Sequence, residues 1–342
     1  CAACQLACLT RKHPNIRPSS TPLPNSSMKL KTNHLSPGDC ISLDHYESTV
    51  RGRLTHTKGR ERESEQYRGG TIAVDHCSGK IWIHHQVSLR AGETLSGKRV
   101  WEHDLAQYGI KVKSYHSDNG VFRSREFQDD LKRRNQTIDF SGSGAHHQNG
   151  IAERAIRTVV ESARTMILHA ALHWPEEADL KLWPLAMDYA VHMWNNLPRQ
   201  DNGLTPNELI SETLQPNFDG LKRTHVWGCP TYVLEPKFQD GRKLPKWSPR
   251  AKRGQFLGFS KDHSTQIGLI RNLRTGSITP QYHVAYDDLF TTVTNESPDG
   301  TSLEQQIEDW KKIISTNSER YWHPDELDDN NMPISPPPLH EE

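Results

Sequence analysis

The chain has 342 residues, and its 42 Lys and Arg balance 42 Asp and Glu, so the formal net charge is zero. That length predicts two or three domains with at least one sizeable core. No leader-like segment and no apolar run long enough to cross a bilayer is present, so no membrane partner is expected, and a zero sum by itself gives no warrant for a nucleic-acid partner.

From the N-terminus, residues 1–36 carry Arg11, Lys12, Arg17, Lys29 and Lys31 and no acid. Of six cysteines, Cys1, Cys4 and Cys8 crowd together while Cys40, Cys77 and Cys229 stand far apart. That spacing is no disulfide framework, and a reducing, intracellular setting is expected. A first residue of Cys rather than Met predicts a piece of something longer. Residues 15–37, rich in Pro, Ser and Asn without hydrophobic period, predict a linker.

"GDCISLDHYES" predicts a short strand carrying Asp44, followed by an exposed polar loop over residues 47–70. "GGTIAVDHCSGKIWIHHQVSL" predicts a hairpin turning at Ser78-Gly79. Residues 94–108 read as a helix, "GIKVKSYHSDNG" as a strand ending at Asp118, residues 124–134 as a helix and "QTIDFSG" as a strand. A helix starting near Gly150 repeats apolar residues at Ile156, Val159, Val160, Ala163, Met166, Ile167 and Ala170, which predicts one buried face. Residues 174–211 are also helix-rich. This order predicts a layered α/β domain.

Beyond Gly228 the pattern changes to the short β runs "CPTYVLE", "RGQFLGFS", "QIGLIRNL" and "SITPQYHVAYDD", which predict a small barrel or sandwich. Residues 221–261 hold ten Lys or Arg, Lys252 and Arg253 among them, against Glu235 and Asp240. Such a block suits phosphates or a solvated face. The tail from 292 is acidic and expected to be largely disordered, with one helix at 303–314.

Three acids share a setting: Asp44 on the first strand, Asp118 at the end of a later one, Glu153 in the first turn of a helix. Strand ends and helix starts crowd one edge of an α/β sheet, where sites are built. Three carboxylates meeting there would repel without a divalent cation, and oxygen-only ligands select Mg²⁺ or Mn²⁺. Each acid also has a local use. Glu153 complements the helix dipole behind an Asn149-Gly150 cap, and Asp118-Asn119-Gly120 is a good turn. Asp75 rivals Asp44, but "DHCSG" leads into the hairpin turn, where an Asp serves locally.

"LDHY", "HSDNG" and "HHQNGIAERAIRT", in that order, resemble the DDE-type integrase of copia-like LTR retrotransposons. "HVWGCPTYVLEP", "SPRAKRGQFLGFS" and "HVAYDD" look like the small domain that follows such cores, and the resemblance covers most of residues 1–290. It implies a ribonuclease-H-like mixed five-stranded sheet flanked by helices at 37–215, then a small Src-homology-3-like β-barrel at 222–291. Asp44, Asp118 and Glu153 would be the catalytic carboxylates, holding two Mg²⁺ or Mn²⁺ ions. The Asp118–Glu153 separation, 153 − 118 = 35 positions, is one tighter than usual for the family, a loss assigned to the loop "SGSGAHHQNG". "CAAC" is similar to the last half of the family's His-His-Cys-Cys module. Tetrahedral zinc needs four ligands, so zinc is expected in an intact module and not in this chain, whose residues 1–36 form a remnant and linker.

The resemblance further implies metal-dependent phosphodiester strand transfer that inserts element DNA into target DNA. Partners would be both DNAs, further copies of the chain and other products of the polyprotein. The setting would be the nucleus, after cytoplasmic virus-like particles. His146, His147, Gln148 and Asn149 would lie beside the metals, and Asn119, His147, Gln148, Asn149, Arg154, Arg157, Lys252 and Arg253 would contact DNA. Two other readings keep the fold. One is a decayed or domesticated DNA-binding or assembly module; the other is a nuclease cutting RNA in hybrids, which would need a further catalytic Asp that the sequence does not offer.

Overall fold

A computed structural model describes residues 2–8 and 35–294, apart from 56, 143–148, 200–201, 215–218, 240–245 and 264–266, together with 305, 308, 309 and 312. The first sheet holds β1 (Cys40–Gly52), β2 (Tyr67–Asp75), β3 (Ile81–Gln86), β4 (Ser114–Ser117) and β5 (Thr137–Phe140), in the order β3-β2-β1-β4-β5. β1, β2 and β3 run antiparallel, while β4 and β5 run parallel to β1. Period-two alternation divides its side chains between two cores. Ile41, Leu43, Ala73, Trp82 and Tyr115 pack against Leu95, Trp101 and Leu105 of α2 (Ala91–Ala106) and Phe127 and Leu131 of α3 (Arg125–Arg134). Tyr46, Ile72, Val74, Ile81 and Ile83 face α4 (Gly150–His173) and α5 (Trp183–Asn196). A three-strand antiparallel meander continued by two parallel strands, with helices on both faces, is the expected ribonuclease-H-like arrangement.

The predicted hairpin, the helix after Ser124 and the helix from Gly150 all form. Ser124 caps α3 by accepting the Phe127 N–H at 3.3 Å, and Gly79 takes the positive φ of 67° that the hairpin turn requires. Asp75 is fully buried and accepts the Gly38 N–H at 2.8 Å and the Ser78 N–H and O–H at 2.7 Å each, the local role that set it below Asp44.

The polar stretch at 47–70 is not the exposed loop expected. β1 runs on to Gly52 and β2 begins at Tyr67, paired across an irregularity, and Glu47 meets Arg68 across the ladder at 3.0 Å. Arg53 and Gln66 in the remaining loop are buried. The Arg53 guanidinium donates to the carbonyls of Thr57 (2.6 Å) and Gly276 (2.8 Å), and so ties the loop to the second sheet. Composition marked these residues as polar. It could not show that their charges are spent on backbone carbonyls.

Lys98 on α2 is completely buried, with its ammonium 2.8 Å from Glu102, 2.9 Å from Asp130 and 2.7 Å from the Gln136 amide oxygen. This ion cluster locks α2 to α3 beneath Tyr115, whose hydroxyl donates to Glu102 at 2.7 Å.

The second sheet holds β6 (Pro230–Leu234), β7 (Ala251–Phe259), β8 (Gly268–Asn272), β9 (Ile278–Gln281) and β10 (Val284–Tyr286), all antiparallel, in the order β10-β6-β7-β8-β9. Its strands fall on the four predicted runs. β9 and β10 are its edges, and no ladder joins them among the described residues. Phe256, Leu257, Leu269, Ile270 and Ile278 share one hydrophobic cluster with α4 and α5. At the N-terminus α1 (Ala2–Cys8) buries Ala3 and Ala7, one helical turn apart, and Arg164 of α4 donates to the Ala7 carbonyl at 3.1 Å. The predicted tail helix and disorder lie largely outside the described residues.

Asp188 of α5 joins the two sheets. His85 of β3 stands 3.3 Å from its carboxylate and Lys261, just past β7, stands 2.8 Å from it. Burial works to raise its pKa, but the contacts with Lys261 and His85 prevail and hold it below the ordinary 3.8. A carboxyl whose folded pKa lies under its unfolded one contributes stability above that unfolded value and loses it as pH falls below. Unfolding followed from pH 7 to pH 3 should therefore show stability lost below about pH 4. Asp188→Asn should be less stable at pH 7 and flatter in that acid range; an unchanged acid limb would remove Asp188 from this role.

Candidate metal and nucleic-acid site

β1 and β4 pair in parallel, and their last rung is Leu43 with Ser117. The next residue on each chain is an aspartate, so Asp44 and Asp118 emerge side by side on neighbouring strands roughly 4.8 Å apart. Each is half-buried and each accepts the following backbone N–H: His45 to Asp44 at 2.8 Å, Asn119 to Asp118 at 2.7 Å. Gly120 then takes φ +72°, the left-handed turn expected of Asp-Asn-Gly.

His45 points to the opposite face from Asp44. Its ring stacks on Phe122 with centroids 4.6 Å apart, and its Nε2 is 3.1 Å from the Thr94 hydroxyl. Burial keeps it neutral, lowering its pKa from 6.5 to about 4. The stack fastens the turn after Asp118 to the strand bearing Asp44. Nothing local in the sequence reveals this contact, because the partners are 77 positions apart (122 − 45 = 77).

Glu153 is exposed in the first turn of α4, with Arg154 and Arg157 exposed beside it. The helix start is held to β1 by Asn149, whose Nδ2 donates to the Leu43 carbonyl at 3.1 Å. Asn149 occupies the cap position, yet its side chain makes no capping bond. It is buried, at 1% exposure. Its Oδ1 is buried without a hydrogen-bond partner among the described residues.

The structure thus brings Asp44 and Asp118 together and ties the helix of Glu153 to the same strand. It does not gather all three carboxylates around one point: among the described residues no three His, Cys, Asp or Glu side chains stand close enough to hold a metal ion. The donor chemistry still fits a hard cation. Two carboxylates on neighbouring strands, a third at the helix start and an orphaned amide oxygen could offer only oxygen donors.

The remaining expected contacts divide. His146, His147 and Gln148 lie outside the described residues, and Asn119 is half-buried in the turn. Arg154 bends back so that its Nε donates to the Gly150 carbonyl at 2.8 Å, still at the surface. Lys252 is half-exposed and paired with Glu235 at 2.8 Å. Arg253 is half-buried, and its guanidinium lies over the Trp174 ring, 5.1 Å from the centroid. For the zinc remnant, Cys4 is exposed on α1, and Cys1 lies outside the described residues.

No protein-family model matches the chain. Over 312 residues, 84% of its length, it is 27% identical to the retrovirus-related Pol polyprotein from transposon RE2 of Arabidopsis thaliana. The polyprotein from transposon RE1 of the same plant is 29% identical over 66% of the chain, and that from transposon TNT 1-94 of Nicotiana tabacum 27% over 50%. The chain is thus similar to the Pol polyproteins of plant copia-type retrotransposons. It spans 19%, 14% and 13% of the length of these three polyproteins. Among solved structures, the magnesium-bound HTLV-2 integrase catalytic core domain overlaps 51% of this chain and 97% of its own, at 19% identity and TM-score 0.36. A simian T-cell lymphotropic virus intasome in complex with PP2A regulatory subunit B56 gamma overlaps 74% and 79%, at 17% identity and TM-score 0.39. At that depth of overlap the strand order and register, not the superposition, identify the fold.

Proposed function

We propose that this chain is the integrase region of a retrotransposon polyprotein, joining a 3′-hydroxyl end of element DNA to a target phosphodiester. The observation that carries this reading is the pair Asp44 and Asp118 at adjacent positions of two parallel strands, with Glu153 opening a helix tied to the first of them. Divalent Mg²⁺ or Mn²⁺ ions, when bound, would activate the attacking oxygen and stabilise the leaving one. Asp44 and Asp118 would supply fixed carboxylates, and Glu153, exposed on the first turn, would complete the set as the end of α4 settles. Arg154 and Arg157 would hold the DNA phosphates approaching Glu153. Residues 37–215 would form the catalytic core and 222–291 a DNA-binding domain, in which the exposed Lys252 would add backbone contacts. Element ends, target DNA, further copies of the chain and other polyprotein products would be its partners, and the nucleus its place of action.

A second reading, a module of the same fold that binds or assembles without catalysis, is favoured by the dispersed carboxylates noted above. Incubating the chain with a short duplex end, a target plasmid and Mg²⁺ or Mn²⁺, beside an RNA/DNA hybrid substrate, separates the possibilities. Joined product with an intact hybrid is expected. Hybrid cleavage without joining would indicate a nuclease, and metal-independent DNA binding with neither product would favour the non-catalytic module. Binding itself should weaken steeply with salt, with log Kd against log salt linear and a slope of about 0.9 per duplex phosphate neutralised.

A further inference from the structure

The Leu43 carbonyl is where three segments of the site meet. Its own strand leads directly to Asp44, its rung partner Ser117 leads directly to Asp118, and its oxygen accepts from Asn149, four positions before Glu153. A helix start of this kind would ordinarily use Asn to cap its own amides. Here the side chain gives up that bond and reaches across to the neighbouring strand from a position that is 1% exposed. Burying an amide costs free energy unless its polar atoms are paired, and Oδ1 has no partner among the described residues. A residue that forgoes its cap and leaves an acceptor unpaired is poorly chosen for helix stability alone.

Resting on the functional reading above, we propose that Asn149 is a positioning residue that sets where Glu153 stands relative to Asp44 and Asp118, and not a DNA contact. Its Nδ2 bond registers the first turn of α4 against the one backbone carbonyl that both aspartate-bearing strands share as a reference. Without it, α4 remains held by its apolar face, Ala152, Ala155 and Val159 among the buried residues, so the helix persists while its first turn loses its registration. Groups that orient metal ligands from behind typically contribute 10–100-fold to metal affinity.

The test is Mn²⁺ binding to the full chain, read as loss of the free-ion electron paramagnetic resonance signal, with thermal melting and metal-free DNA binding measured on the same samples. Asn149→Ala should weaken Mn²⁺ binding by about tenfold or more, with the melting temperature and DNA affinity close to those of the parent. Asn149→Leu, which keeps the buried volume, should do the same. Unchanged Mn²⁺ affinity in both variants overturns the inference, as does a loss of DNA affinity with metal binding intact, or unfolding of both. An Asp44→Ala control separates the two levels. If the parent binds no Mn²⁺, or binds it as well without Asp44, the metal site itself falls and the role of Asn149 falls with it. If the control loses Mn²⁺ and the Asn149 variants do not, only the positioning role is lost.

Discussion

Asp118→Ala is expected to lower DNA-end joining by about a thousandfold or more, while the chain stays folded and keeps its affinity for DNA. The reason for so lopsided an effect is positional. Asp118 lies at the rim of the sheet, half-buried and outside both hydrophobic clusters, so its loss opens no cavity. Its carboxylate accepts the adjacent Asn119 N–H at 2.7 Å, a bond that water can replace. Glu153→Ala should behave alike, because Glu153 is exposed and an Ala there suits the helix. Comparing joining rates with melting temperatures checks this; a variant that joins DNA as fast as the parent would remove that carboxylate from the reaction.

Lys98→Ala should have the largest effect on stability, on the order of 3–5 kcal/mol, because removing one member of a buried ion cluster leaves the others charged and dry. Asp130 would retain Arg133 at 3.0 Å and Arg134 at 3.4 Å, and Glu102 would retain Arg134 at 3.1 Å. Those guanidiniums are largely solvated, so they offset only part of the loss. Urea unfolding measures the effect directly. Neutralising the partners together, as Lys98→Met with Glu102→Gln and Asp130→Asn, should recover part of it. A single variant as stable as the parent would show that the cluster contributes no net stability.

Lys98 also marks how far the sequence can be read. Leu95, Lys98, Trp101 and Leu105 follow helical spacing, so the lysine sits on the buried stripe, and that spacing was a usable signal. Where periodicity and turn chemistry act locally, the elements are legible: α4 from Gly150, the hairpin closing at Gly79, the strands of the second sheet. The aspartate pair is legible because Asp44 falls within a predicted strand and Asp118 at the end of another. Other features depend on partners distant in the chain. The extension of β1 to Gly52 is set by pairing with β2 and by the Trp183 indole, which donates to the Val50 carbonyl at 2.9 Å. Arg253 reads as one more cation in a basic block, yet it lies over Trp174, 79 positions away (253 − 174 = 79). Asn149 reads as a helix cap because the alternative acceptor, Leu43, is 106 positions away.

Anomalous diffraction at the manganese edge, from crystals of the full chain grown with Mn²⁺, would locate the ion against the three carboxylates. Density bridging Asp44 and Asp118, with Glu153 turned in to ligate, is the predicted result. Manganese bound elsewhere, or these side chains directed to separate faces in its presence, would contradict the proposal that they serve one metal-dependent reaction on DNA.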